Sequence, residues 1–131
     1  MIIDANIFLE FLLKQKRFEE CRIFLNKTVT GEIKATISNF SVDSIIILMA
    51  RNNLSVVEIK TFLKKMVNSR GINIYFFNIK DRFNVLLLMD KYGLDYEDAI
   101  VLQSAIATSS GEIVSFDKHF DKIKGIKRIE P

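Results

Sequence analysis

Short β-like runs alternate with longer segments of helical period along this chain, and that alternation restricts its fold more than any other feature. The β-like runs are Met1–Asp4, Lys34–Ser38, Ile72–Phe77, Glu112–Phe116 and Ile126–Ile129. Between them, Phe18, Cys21, Phe24, Leu25 and Thr28 recur at helical spacing. Ile59, Phe62, Leu63, Met66 and Val67 do so more cleanly, with Lys60, Lys64, Lys65 and Asn68 opposite. Ile7–Leu13, Asn39–Arg51, Asp81–Tyr92 and Tyr96–Ser109 also read as helices. Strands alternating with helices belong to a parallel sheet covered on both faces. The expectation is an α/β fold of three layers. With 131 residues, no internal repeat and its one proline in the last position, the chain reads as a single domain spanning 1–131.

Such an architecture says where chemistry belongs. Ligands of open parallel sheets bind beyond the carboxyl ends of the strands. Asp4 ends the first β-like run and Asp117 follows the fourth. Right-handed crossovers make a helix that enters a strand through a tight turn begin at that same edge. The helix Tyr96–Ser109 enters the fourth strand through Ser110-Gly111, so its N-terminal Asp98 belongs there too. Asp43 lies about one turn into the helix that leaves the second strand. Four carboxylates from four separate stretches are therefore expected at one edge.

Each has a structural alternative. Asp4 and Asp117 suit helix or turn caps, and Asp95, Glu97 and Asp98 suit a helix N-terminus, with Asp95 as its cap. Asp43 is expected to share a face with Ile46, Ile47 and Ala50 in a segment apolar nearly all round. An unpartnered acid would be costly there. Two carboxylates ~4–5 Å apart repel by roughly 3–4 kcal/mol at an effective dielectric of ~20. A cluster of four calls for a cation, and oxygen donors select Mg²⁺ or Mn²⁺ over Zn²⁺. His119 is the sole histidine and Cys21 is remote, so no zinc constellation can be assembled. His119 reads as a surface residue and Cys21 as a buried thiol.

Composition supplies the remaining limits. A net charge of +3 leans weakly toward an anionic partner. No apolar stretch reaches the ~18–20 residues of a membrane span, and no signal peptide is evident, so a cytoplasmic protein is expected. The hydrophobic fraction of 49%, with apolar residues all round Ile7–Leu13, points to a homodimer interface.

The chain resembles the PIN-domain ribonucleases, and in its compactness the VapC toxins of toxin–antitoxin pairs. The likeness rests on Ile2-Ile3-Asp4-Ala5-Asn6, on Thr36-Ile37-Ser38 followed by Asp43, on Gly93-Leu94 before Asp98-Ala99-Ile100, and on Ser115-Phe116-Asp117-Lys118-His119-Phe120-Asp121. It implies a three-layer α/β/α PIN-like domain with a parallel central sheet of about five strands. It also implies that Asp4, Asp43, Asp98 and Asp117 are metal-binding acids, with Asn6 and Ser115 supporting them by hydrogen bonds. Two positions depart from the family pattern: Asp43 stands where Glu is usual, and Ser115 where Thr is usual. Asp95 or Glu97 could replace one of the four acids.

The resulting expectation is an endoribonuclease that uses Mg²⁺ or Mn²⁺ to hydrolyse RNA phosphodiester bonds, as the toxin of a toxin–antitoxin pair. The resemblance further implies RNA as substrate and a small antitoxin protein as partner. The alternative is a weakly active or inactive PIN-like module used for binding or scaffolding. A phosphotransfer reading is weaker. The phosphatase pattern wants a second Asp where Asn6 stands, and the receiver pattern wants an acid ending Ile74-Tyr75-Phe76-Phe77-Asn78.

Overall fold

Two isoleucines at the start of the chain become the centre of the sheet. In the computed structural model, which describes residues 1–131, β1 (Ile2–Ile3) pairs in parallel with β2 (Ala35–Ser38) on one side and β4 (Glu112–Val114) on the other. β3 (Ile72–Tyr75) pairs with β2, and β5 (Lys127–Ile129) with β4. The five strands are all parallel, in the order β3-β2-β1-β4-β5.

Because successive strand residues face opposite ways, Ile2 and Ile3 enter different cores. Ile3 packs with Ile7 and Phe8 of α1 (Ala5–Leu12), and with Cys21, Phe24 and Leu25 of α2 (Phe18–Thr30). Ile45 and Met49 of α3 (Asn39–Arg51) and Phe62 and Met66 of α4 (Val56–Val67) complete that side. Ile2 and Ile113 pack instead with Val85 of α5 (Ile79–Tyr92) and with Ala99, Ile100 and Leu102 of α6 (Tyr96–Ala107). Three layers result, as the alternation of elements predicts.

The boundaries shift where side chains cap helices. Asp4 leaves the strand to cap α1, which starts at Ala5 rather than Ile7. Ser55 and Glu58 form a capping box that starts α4 at Val56, and Asn78 with Asp81 starts α5 at Ile79. Gly71 permits a close crossing: a Cβ there would stand 2.1 Å from the Ile33 carbonyl oxygen and 2.6 Å from that of Thr28.

Two packing expectations divide here. Cys21 is a buried free thiol, as expected. Ile7–Leu13 is only partly surface: Ile7 and Phe8 are buried in the core, while Leu9, Phe11 and Leu12 are half-buried against it. The exposed apolar stripe lies on α5 instead, where Ile79, Phe83, Leu86 and Leu87 follow helical spacing just after exposed Phe76. No helix is long and apolar enough to cross a membrane.

Candidate metal centre

The chain leaves β1 toward β2 and β3 but later returns to place β4 on the other side of β1. This reversal makes a topological switch point at the carboxyl ends of β1 and β4, where the crevice between strands is the usual binding position in such sheets. Asp4 follows β1, and Ser115, Phe116 and Asp117 follow β4.

A buried hydroxyl organises the crevice. Ser115, fully shielded from solvent, donates through Oγ to Asp4 Oδ2 at 2.6 Å. The same oxygen accepts from Asn6 Nδ2 at 3.0 Å and from the Asp117 backbone N–H at 2.9 Å. Asn6 Nδ2 also donates to Asp4 Oδ2 at 2.8 Å. Both of its contacts are acceptors, so the amide must present its nitrogen to them. Its Oδ1 is left buried without a partner. Asp4 Oδ2 is thus saturated, whereas Oδ1 accepts only a long 3.4 Å bond from the Asn6 backbone N–H.

Asp98 arrives from the first turn of α6, where Asp95 caps the helix by accepting from the Asp98 N–H at 2.8 Å. Asp117 caps the 3₁₀ turn Lys118–Lys122 by accepting from the His119 N–H at 2.8 Å. His119 Nδ1 then lies 3.1 Å from both Asp98 Oδ2 and Asp117 Oδ1. Ligand atoms from Asp98, Asp117 and His119 all fall within 4.8 Å of one another.

The electrostatics reflect burial first and crowding second. Burial pushes the Asp4 carboxyl up to about 6, and the charges of Asp98 and Asp117 add to the rise, against the hydrogen bonds from Ser115 and Asn6. Burial also raises Asp98, with Asp95 and Asp117 adding to the rise and the His119 hydrogen bond opposing it. The hydrogen bond to Asp98, followed by the charge of Asp117, raises His119. No Lys or Arg forms an ion pair with any of the three acids. Carboxylates from three elements with no Lys or Arg among their partners form a donor set suited to a hard divalent cation, which would relieve their repulsion.

The structure therefore brings Asp98 and Asp117 together beside His119, while Asp4 lies near enough to feel the charges of both and is linked through Ser115 to the Asp117 backbone. Asp43 is a different case. It is exposed and makes no hydrogen bond, and its apolar neighbours on the same face, Ile47 and Ala50, are exposed as well. The buried stripe of α3 runs through Val42, Ile45 and Met49 instead, which corrects the expectation of an acid on a buried face. The next residue, Ser44, donates to Glu97 Oε1 at 3.3 Å, so α3 meets the first turn of α6 at the rim. His119 is the residue whose contacts the sequence did not reveal. It is exposed, as expected, yet its ring nitrogen joins two of the acids.

Comparison with known proteins adds an independent finding. The PIN domain family model matches residues 1–126. A toxin–antitoxin complex from Klebsiella pneumoniae superposes with a TM-score of 0.68 at 20% identity, covering 96% of this chain and 94% of that one. Mycobacterium tuberculosis VapC20, described as a Sarcin-Ricin loop cleaving toxin, gives 0.74 at 13% identity over 99% and 98%. VapBC2 from Rickettsia felis, bound to a DNA fragment from its promoter, gives 0.67 at 16% over 98% and 96%. No curated protein matches the chain in sequence.

Proposed function

This chain belongs to the PIN-domain family, and from that membership we propose that it is a divalent-metal-dependent endoribonuclease acting as the toxin of a toxin–antitoxin pair. The observation that carries the reading is the meeting of Asp4, Asp98 and Asp117 at the switch point of the sheet, with no Lys or Arg to neutralise them. Solved structures of the same fold include a toxin that cleaves the Sarcin-Ricin loop and toxin–antitoxin complexes, which supports RNA as substrate and an antitoxin as partner.

Each residue has a part in this proposal. Asp98, Asp117 and the free Oδ1 of Asp4 hold the ion, Mg²⁺ or Mn²⁺. When bound, the cation supplies Lewis acidity, activating water and neutralising charge on a phosphodiester. Ser115 and Asn6 saturate Asp4 Oδ2 and so present its other oxygen. Asp43 acts at the rim, too exposed to be held in one geometry. Lys118 and Lys122, exposed on the turn that carries His119, attract the phosphate backbone.

Two surfaces suit protein partners. Phe8, Phe11, Leu12, Phe18, Leu25 and Phe62 line an apolar groove of about 330 Å³, and we assign the antitoxin segment to it. The exposed stripe Ile79, Phe83, Leu86 and Leu87 on α5 is the homodimer surface.

Purified protein should cut single-stranded RNA in Mg²⁺ or Mn²⁺, and lose that activity in EDTA or with Asp98→Asn. Equal cleavage under those conditions refutes the reading. The exposed, unbonded Asp43 favours a second reading, a PIN-like module without catalysis. No Mn²⁺-dependent thermal shift together with no cleavage would select that alternative.

A further inference from the structure

We infer that His119 is a metal ligand of this site, its Nδ1 joining Asp98 Oδ2 and Asp117 Oδ1 and biasing the site toward a first-row transition ion over Mg²⁺. The inference rests on the acidic site proposed above and adds a nitrogen donor to its oxygens.

The distances support it. Nδ1 stands 3.1 Å from each carboxylate oxygen. Neighbouring ligands on an octahedron with bonds of ~2.1 Å stand about 3.0 Å apart. The two separations would suit adjacent ligands of one cation, and the whole group spans no more than 4.8 Å.

The ring is also held in place. The His119 backbone N–H is tied to Asp117 Oδ1, and the next residue, Phe120, is completely buried and anchors the 3₁₀ turn. Nδ1 stands within hydrogen-bonding distance of both carboxylates. A cation there would be held by the Nδ1 lone pair with Asp98 and Asp117, and its binding would displace any proton on that nitrogen.

Selectivity follows from donor chemistry. Mg²⁺ takes oxygen ligands and keeps much of its water, whereas imidazole binds more strongly along the series from Mn²⁺ to Cu²⁺. A site of carboxylates alone would not favour Mn²⁺ to the same degree.

Untagged full-length protein makes the test clean, because the chain contains one histidine. Electron spin-echo envelope modulation of bound Mn²⁺ should show imidazole ¹⁴N coupling in the wild type and none in His119→Ala. The substitution should weaken Mn²⁺ roughly tenfold or more and Mg²⁺ by less than about threefold, read by competition titration. The side chain is mostly exposed, so the variant should keep its fold, checked by circular dichroism. Mn²⁺ bound without ¹⁴N coupling, or equal weakening of both ions, overturns the role of His119 and leaves the acidic site standing. Wild-type protein that binds no Mn²⁺ overturns both.

Discussion

Replacing Asp4 with Asn should stabilise the metal-free protein, and should do so more as pH rises. The Asp4 carboxyl is pushed from its ordinary 3.8 to about 6, chiefly by burial. A carboxyl whose folded-state value is raised contributes stability fully present below its unfolded value and lost as pH climbs through the folded one. A difference of about two in pKa corresponds to about 3 kcal/mol at pH 8 and only about 1 kcal/mol near pH 4.5. Asn keeps an oxygen that can accept from Ser115 Oγ and Asn6 Nδ2, so the hydrogen bonds around Asp4 need not be lost. Thermal unfolding in EDTA at both pH values is the assay. The variant's advantage should grow from a few degrees to on the order of 5–10 °C. Added Mn²⁺ should then stabilise the wild type much more than the variant. A variant less stable than wild type at pH 8, or an advantage independent of pH, would refute the costly burial of an ionised carboxyl at this position.

Other perturbations test the surrounding framework. Ser115→Ala removes a buried hydroxyl that serves Asp4, Asn6 and Asp117 at once, and should cost about 1–3 kcal/mol in denaturant unfolding while weakening metal binding. Gly71→Ala drives a methyl against two backbone carbonyls and should cost about 3 kcal/mol, a loss that a normal unfolding midpoint would contradict. Phe83→Glu, on the exposed stripe of α5, should shift a dimer to monomer in light scattering and leave circular dichroism unchanged. Asp43→Asn should lower RNA cleavage far less than Asp98→Asn, and equal losses would give the exposed acid a direct role.

The layered sheet was readable because short apolar strands and longer periodic helices leave few other ways to bury Ile2 and Ile3 on opposite faces. Asp4, Asp98 and Asp117 were readable for a related reason, since parallel topology sends all three to one edge. Capping and a place at the shared edge, weighed as alternatives, occur together. Asp4 caps α1 and Asp117 caps the following turn while both approach Asp98. Asp43 was misread because an apolar neighbourhood in sequence was taken for a buried one, yet Ile47 is half exposed. His119 was missed because its partner Asp98 lies on another element and a 3₁₀ turn has no long period to reveal which way its side chains face. Which apolar segment faces solvent was not legible without tertiary information: part of α1 is apolar because it enters the core, and α5 is apolar on the side that faces solvent.

The most direct test is the position of Mn²⁺ in crystals of the protein, located by anomalous scattering. The account predicts a peak about 2.1–2.3 Å from carboxylate oxygens of Asp98 and Asp117, with Asp4 bound directly or through one water. A peak held instead by Asp95 or Glu97, or no peak beside Asp4, Asp98 and Asp117 at saturating Mn²⁺, would contradict it.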